Sequence, residues 1–85
     1  MKAIVDSGST SSKWAICDHS KELIGEFKLK GINPTSNPES LLEFEKIPTE
    51  FKSNIEEVYY YGSGVSTPES RRVITSALKK IVPLK

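Results

Sequence analysis

Ala3-Ile4-Val5-Asp6-Ser7-Gly8-Ser9-Thr10-Ser11-Ser12-Lys13-Trp14-Ala15-Ile16-Cys17 is the stretch around which the rest of the chain is arranged. The apolar run Ala3 to Val5 reads as a buried strand, and Lys13 to Cys17 reads as another. Between them, the six residues from Ser7 to Ser12 are all Gly, Ser or Thr. Two readings compete. Strand, polar turn and strand make an ordinary β-hairpin, for which Ser and Gly are common turn residues. The same small residues also let a backbone fold tightly and aim several N–H groups and hydroxyls at one point, as a phosphate cradle requires. Asp6, at the mouth of the first strand, would face that point. A carboxylate beside a phosphate calls for a cation between them, and Mg²⁺ held by carboxylate, water and phosphate oxygens supplies it. A Gly-rich loop by itself does not choose between the two readings.

Working outward, 85 residues with 36% apolar content suffice for one small domain. The net charge is +1, which leaves no electrostatic footprint for nucleic acid or an anionic membrane. The close basic pairs Lys28/Lys30, Arg71/Arg72 and Lys79/Lys80 read as solvated faces. A single cysteine, Cys17, falls in an expected strand and suits a buried thiol in a reducing compartment. Met1-Lys2-Ala3 runs straight into a strand, with no apolar segment of secretory or membrane-spanning length. The expectation is a soluble, cytoplasmic protein.

After the second strand, Asp18 to Lys21 is a polar turn, with His19, the one histidine, at the surface. Glu22 to Lys30 alternates, placing Leu23, Phe27 and Leu29 on one face, so the first three strands are expected to form an antiparallel meander. Gly31 to Pro38 contains two Asn-Pro steps and reads as an ordered loop. Asn37 or Ser36 would cap a helix with Pro38 at its first position. Leu41, Leu42, Phe44 and Ile47 form its apolar, core-facing stripe, Pro48 ends it, and Phe51 lies on a further turn. Glu57 to Tyr61 has strong strand propensity. Three consecutive tyrosines could serve base stacking, but no basic groove accompanies them, and a strand covered on both faces is expected. Ser66-Thr67-Pro68-Glu69 caps a last helix with Val73, Ile74, Ala77, Leu78 and Ile81 at helical spacing, stopped by Pro83. The order β-β-β-α-β-α implies an α/β domain with a mixed sheet and helices packed against it.

Asp6-Ser7-Gly8-Ser9-Thr10-Ser11-Ser12-Lys13 resembles the first phosphate loop of the actin/hexokinase/Hsp70 superfamily, and most of all its N-acetylglucosamine kinase and BadF/BadG-type ATPase branch. The element order is similar to the N-terminal half-domain of that actin-like ATPase (ribonuclease H-like) fold, so the resemblance extends over nearly the whole chain. Gly31-Ile32-Asn33-Pro34 resembles the Gly-x-Asn motif whose Asn helps bind the sugar. Gly62-Ser63-Gly64 looks like the small-residue turn lining the sugar site. The resemblance implies ATP and Mg²⁺ as cofactors, held by Asp6 (through water), Gly8, Ser9, Thr10, Ser11, Ser12 and Lys13. It implies Asn33, Gly62, Ser63 and Gly64 toward an amino-sugar acceptor. Asn33 and the glycines also read as plain turn residues.

Members of the branch are far longer, with two such domains facing across a cleft. The resemblance therefore makes residues 1–85 a single N-terminal subdomain, a truncated piece of a two-domain protein, inactive on its own. The base toward the substrate hydroxyl, the second phosphate loop and the adenine pocket are expected beyond Lys85, which leaves no catalytic residue within the chain. Cys17 alone cannot hold the iron–sulfur cluster of BadF-type activators. The expected function is that of the N-terminal part of an ATP-dependent amino-sugar kinase. The alternative is a BadF/BadG-type ATPase or a non-catalytic nucleotide- or partner-binding module, with a homodimer formed through the exposed half-domain surface.

Overall fold

Alternation along the first strand decides which side of the sheet is wet. Ala3, Val5 and Ser7 are buried while Ile4 and Asp6 are exposed. In the computed structural model, which describes residues 1–8, 10–34, 37–62 and 67–84, that strand is β1, Lys2–Ser7. It is followed by β2 (Ser11–Cys17), β3 (Leu23–Lys30), a 3₁₀ helix (Pro38–Lys46), α1 (Thr49–Lys52), β4 (Glu57–Gly62) and α2 (Pro68–Lys79). The strand order is β3-β2-β1-β4. The first three strands form the expected antiparallel meander, and β4 returns parallel to β1. This is the mixed α/β sheet of a ribonuclease H-like half-domain.

The first hairpin is tighter than its composition suggests. Ser7 pairs with Ser12 in the ladder, and the Gly8 N–H donates to the Ser11 carbonyl at 2.7 Å. The turn therefore narrows from six residues to the three between Ser7 and Ser11. Both flanking serines face the core, at 2% and 0% exposure. Ser12 is tolerated there because its hydroxyl has partners. It accepts the Trp14 indole N–H at 3.1 Å and lies 3.4–3.5 Å from the Lys30 and Leu29 carbonyls.

Trp14 is the centre of the core. Phe27 stacks on it at 5.5 Å, and Phe44 and Tyr60 meet it edge-on at 5.9 and 6.4 Å. Phe51 extends the stack beyond Phe27 and covers Gly25, where a β-carbon would run into its ring.

Four expectations change. Leu23 is 56% exposed, because the β2–β3 register shifts between Ile16 and Cys17 and a bulge inverts the alternation beyond it. Pro38–Lys46 is a 3₁₀ helix, whose period of three aligns Leu41, Phe44 and Ile47 and turns Leu42 out to 64% exposure. Asn37 precedes Pro38 but gives no side-chain cap. Instead, Ser40 donates both its N–H and its hydroxyl to the Asn37 carbonyl, at 3.0 and 2.7 Å. Finally, β4 is covered on one face alone. Val58 and Tyr60 pack on the core, while Tyr59 and Tyr61 are 43% and 60% exposed, since α2 and the 3₁₀ helix lie on that same covered side.

Helix α2 follows its sequence signals closely. Thr67 Oγ1 accepts the Ser70 N–H at 3.1 Å, and Ser70 Oγ accepts the Thr67 N–H at 3.3 Å, a capping box with Pro68 at the first helical position. Ser70, Ile74 and Leu78 line its buried face.

Candidate active-site edge

The topology gathers the loops singled out in the sequence at one edge of the sheet. β1 and β4 run parallel, so both end there, with Ser7 opposite Gly62. β2 begins at the same edge and β3 finishes at it, with Ser11 opposite Lys30. The Gly8–Ser11 turn, the Gly31–Pro34 loop after β3 and the end of β4 therefore open on one side. The N-terminus of α2 follows the loop after β4. Ser9, Ser63 and Gly64 lie outside the described residues.

Asp6, Gly8, Thr10, Ser11 and Lys13 are all exposed. Asp6 and Lys13 are direct cross-strand partners on the open face, so their head groups share one surface beside the turn. Ser12 differs: its hydroxyl is turned into the core, and its backbone lies in the ladder between Ser7 and Leu29, so it does not join the exposed residues of the turn. At Gly8 an added β-carbon would meet only the Ser11 carbonyl, at 3.5 Å. The fold itself would accept a side chain at that position, and a ligand approaching the backbone would not.

Gly62 has a structural reason of its own. It has φ 129°, and any β-carbon there would collide with the backbone of Ser7. Its lack of a side chain locks the end of β4 against the end of β1. Asn33 is held through its backbone: its N–H donates to Ser40 Oγ at 2.8 Å, and its carbonyl accepts the Asn37 N–H at 2.9 Å. The Asn33–Pro34 corner is thereby pinned to the start of the 3₁₀ helix.

Below the same edge, the Tyr60 hydroxyl is buried without a hydrogen-bond partner among the described residues. Burial pushes its phenol above the usual tyrosine range, and the neighbouring Ser7 hydroxyl works in the opposite sense. Two further residues stand near this edge, Lys28, which the sequence suggests is part of a solvated face, and Tyr61, which it suggests is an ordinary strand residue. They fall in register with Lys13 and Asp6 respectively, and the alternation of β3 and β4 was the signal that could have found them.

Among the described residues no cluster of three or more His, Cys, Asp or Glu could cage a metal. A single exposed carboxylate, Asp6, suits a largely hydrated Mg²⁺ that takes its remaining ligands from water and phosphate.

No family model matches the chain, and no curated protein sequence matches it. Among solved structures, a crystal structure of a Porphyromonas gingivalis protein, provisionally assigned as an N-acetylglucosamine kinase, is similar to it. The TM-score is 0.81 and the identity 29%, over 99% of this chain and 32% of that one. The chain thus spans about a third of that protein's length. Over nearly all of its residues this chain has a kinase-like fold, and the kinase type to which Asp6–Lys13 pointed is the type of its structural neighbour.

Proposed function

We propose that this chain is the N-terminal subdomain of an ATP-dependent kinase that phosphorylates a hydroxyl of an amino sugar or similar small molecule. The observation that carries this reading is the convergence of the Gly8–Ser11 turn, the Asn33 loop and the end of β4 on one sheet edge, in a fold shared with a protein assigned to that kinase class. Phosphoryl transfer depends on positioning and charge neutralisation more than on covalent chemistry. The backbone of the turn and the Thr10 hydroxyl would donate to phosphate oxygens, Lys13 would add positive charge, and Asn33 would hydrogen-bond the acceptor. Asp6 would hold the hydration shell of Mg²⁺, which when bound neutralises phosphate charge. The base toward the acceptor hydroxyl and the adenine pocket would come from further segments, in keeping with the chain's match to 32% of its neighbour.

The deciding experiment is a coupled assay of ADP release by a kinase that contains this chain, with N-acetylglucosamine, glucose and no acceptor compared. Acceptor-dependent release that Asp6→Ala abolishes, with the fold intact, is the expected result. Full activity in Asp6→Ala would remove Asp6 from the site. Acceptor-independent release would favour a BadF/BadG-type ATPase. A second reading, a binding module without turnover, draws on the open sheet face, where Ile4, Leu23, Ile24, Tyr59 and Tyr61 are more than 40% exposed. Bound nucleotide without any ADP release would support it.

A further inference from the structure

The open face carries one row of four residues in register, one from each strand: Lys28, Lys13, Asp6 and Tyr61. Lys13 and Lys28 are directly opposed on adjacent antiparallel strands, and both are exposed. Like charges placed this way repel and weaken the pairing of their strands. The ion pairs Lys2–Glu57 and Lys46–Glu43 lie outside this row. Asp6, Lys13, Glu26 and Lys28 line a single groove together with Ile4 and Ala15. Asp6 flanks Lys13 on the side away from Lys28, and Glu26 lies one row farther from the turn, beside Ala15. An anion seated at the turn end of the groove would therefore meet two ammonium groups before it met Glu26.

We propose that Lys28 is the second cationic arm of the phosphate site, acting with Lys13 on the polyphosphate of a nucleoside triphosphate whose divalent cation is held at Asp6. The inference rests on the phosphate-binding reading of the β1–β2 turn and adds to it a residue outside every loop motif. The physical logic is a trade. The unliganded sheet tolerates a like-charged pair, and the bound anion relieves it. A flexible lysine stem lets the ammonium swing toward the turn from the neighbouring strand. Glu26 sets the inner limit of the site by repelling an anion that slides along the groove.

The test is calorimetric titration of the full chain with Mg²⁺–ATP and, separately, with Mg²⁺–tripolyphosphate, alongside thermal melting without ligand. Lys28→Gln should weaken both probes about five-fold, the order of one charge-assisted contact in a partly hydrated site. The loss should shrink as salt is raised. Lys28→Arg should restore most of the affinity, Glu26→Gln should tighten binding, and unliganded Lys28→Gln should melt no lower than the parent. Unchanged affinity in Lys28→Gln, with Lys13→Gln and Asp6→Asn weakened, would overturn the role of Lys28 and leave the proposed function standing. Weakened binding that tracks a lower melting temperature and is not rescued by arginine would overturn it as well. If the parent chain binds neither probe, this inference falls; if Asp6→Asn and Lys13→Gln bind as tightly as the parent, the reading beneath it falls with it.

Discussion

The two faces of the sheet are made from alternate residues of the same four strands, yet they obey different rules. On the covered face, Ala3, Val5, Trp14 and Ile16 are no more than 1% exposed, closed over by Phe44, Ile47, Ile74 and Leu78. On the open face, Asp6, Lys13, Glu26 and Lys28 sit beside Ile4, Tyr59 and Tyr61. Packing dictates residue identity on the first face, through volume and contact. Among the described residues, nothing closes over the second face in this way. Its register rows are therefore the place where residue choice reports on what the protein meets.

This contrast predicts its largest effect at the aromatic centre. Trp14→Ala should cost about 3–5 kcal/mol, enough to unfold much of the population of so small a domain. Urea titration followed by circular dichroism would measure it. Tyr61→Ala on the open face should change stability by less than about 0.5 kcal/mol. Comparable losses at the two sites would mean that the open face is covered in solution.

A sharper contrast comes from two glycines at the same edge. Gly62→Ala must relieve both a left-handed φ and a collision with Ser7, a loss of about 1–3 kcal/mol. Gly8→Ala meets only ordinary contact with the Ser11 carbonyl and should leave the melting temperature nearly unchanged while weakening Mg²⁺–ATP binding. If Gly8→Ala leaves both properties intact, the turn is a plain hairpin.

Tyr60→Phe removes a buried hydroxyl that has no hydrogen-bond partner among the described residues. It should be neutral or stabilising, by up to about 1 kcal/mol. The phenol is held above its ordinary value in the folded state, with burial as the main cause. The folded chain therefore keeps a proton that the unfolded chain releases above about pH 10. Its contribution is complete below that pH and is lost as the pH rises further. Alkaline melting curves should show a shallower fall for Tyr60→Phe.

The smallest expected effect is at the other end of the pH scale. Glu43 pairs with Lys46 at 2.6 Å and accepts the Lys30 N–H at 2.9 Å, and these contacts hold its carboxyl below the usual range. Its small contribution is present at neutral pH and lost as the pH falls through the acid range. Glu43→Gln should flatten the acid side of the melting profile slightly.

Much of the fold could be read from the residues. Local cues dominate there: the alternation in β1, the Thr67-Pro68 start of α2 with its Ile74/Leu78 face, and the polar turns between strands. The readings that changed are those that depend on neighbours. Nothing in Glu57–Tyr61 says that helices cover one side of β4 only, and nothing in Leu23 announces the bulge that turns it outward. Leu41, Phe44 and Ile47, spaced by three, fit a 3₁₀ period, but an α-helical stripe accommodates the same residues with Leu42. The candidate site divides in the same way. Asp6, Gly8, Thr10 and Lys13 stood out as a motif, whereas Lys28 and Tyr61 joined them only through register.

By itself, the sequence determined the chemistry of the turn, the meander and the helix caps, because hydrophobic period, proline, glycine and capping residues act over a few positions. Tertiary structure alone decided that three separated loops share one edge, that Ser12 faces the core, that Gly62 must lack a side chain, and that two lysines oppose each other. Each of these depends on which strand lies beside which. Strand pairing is a long-range choice, settled by burying Trp14 and its neighbours together, and no local stretch of the chain contains it.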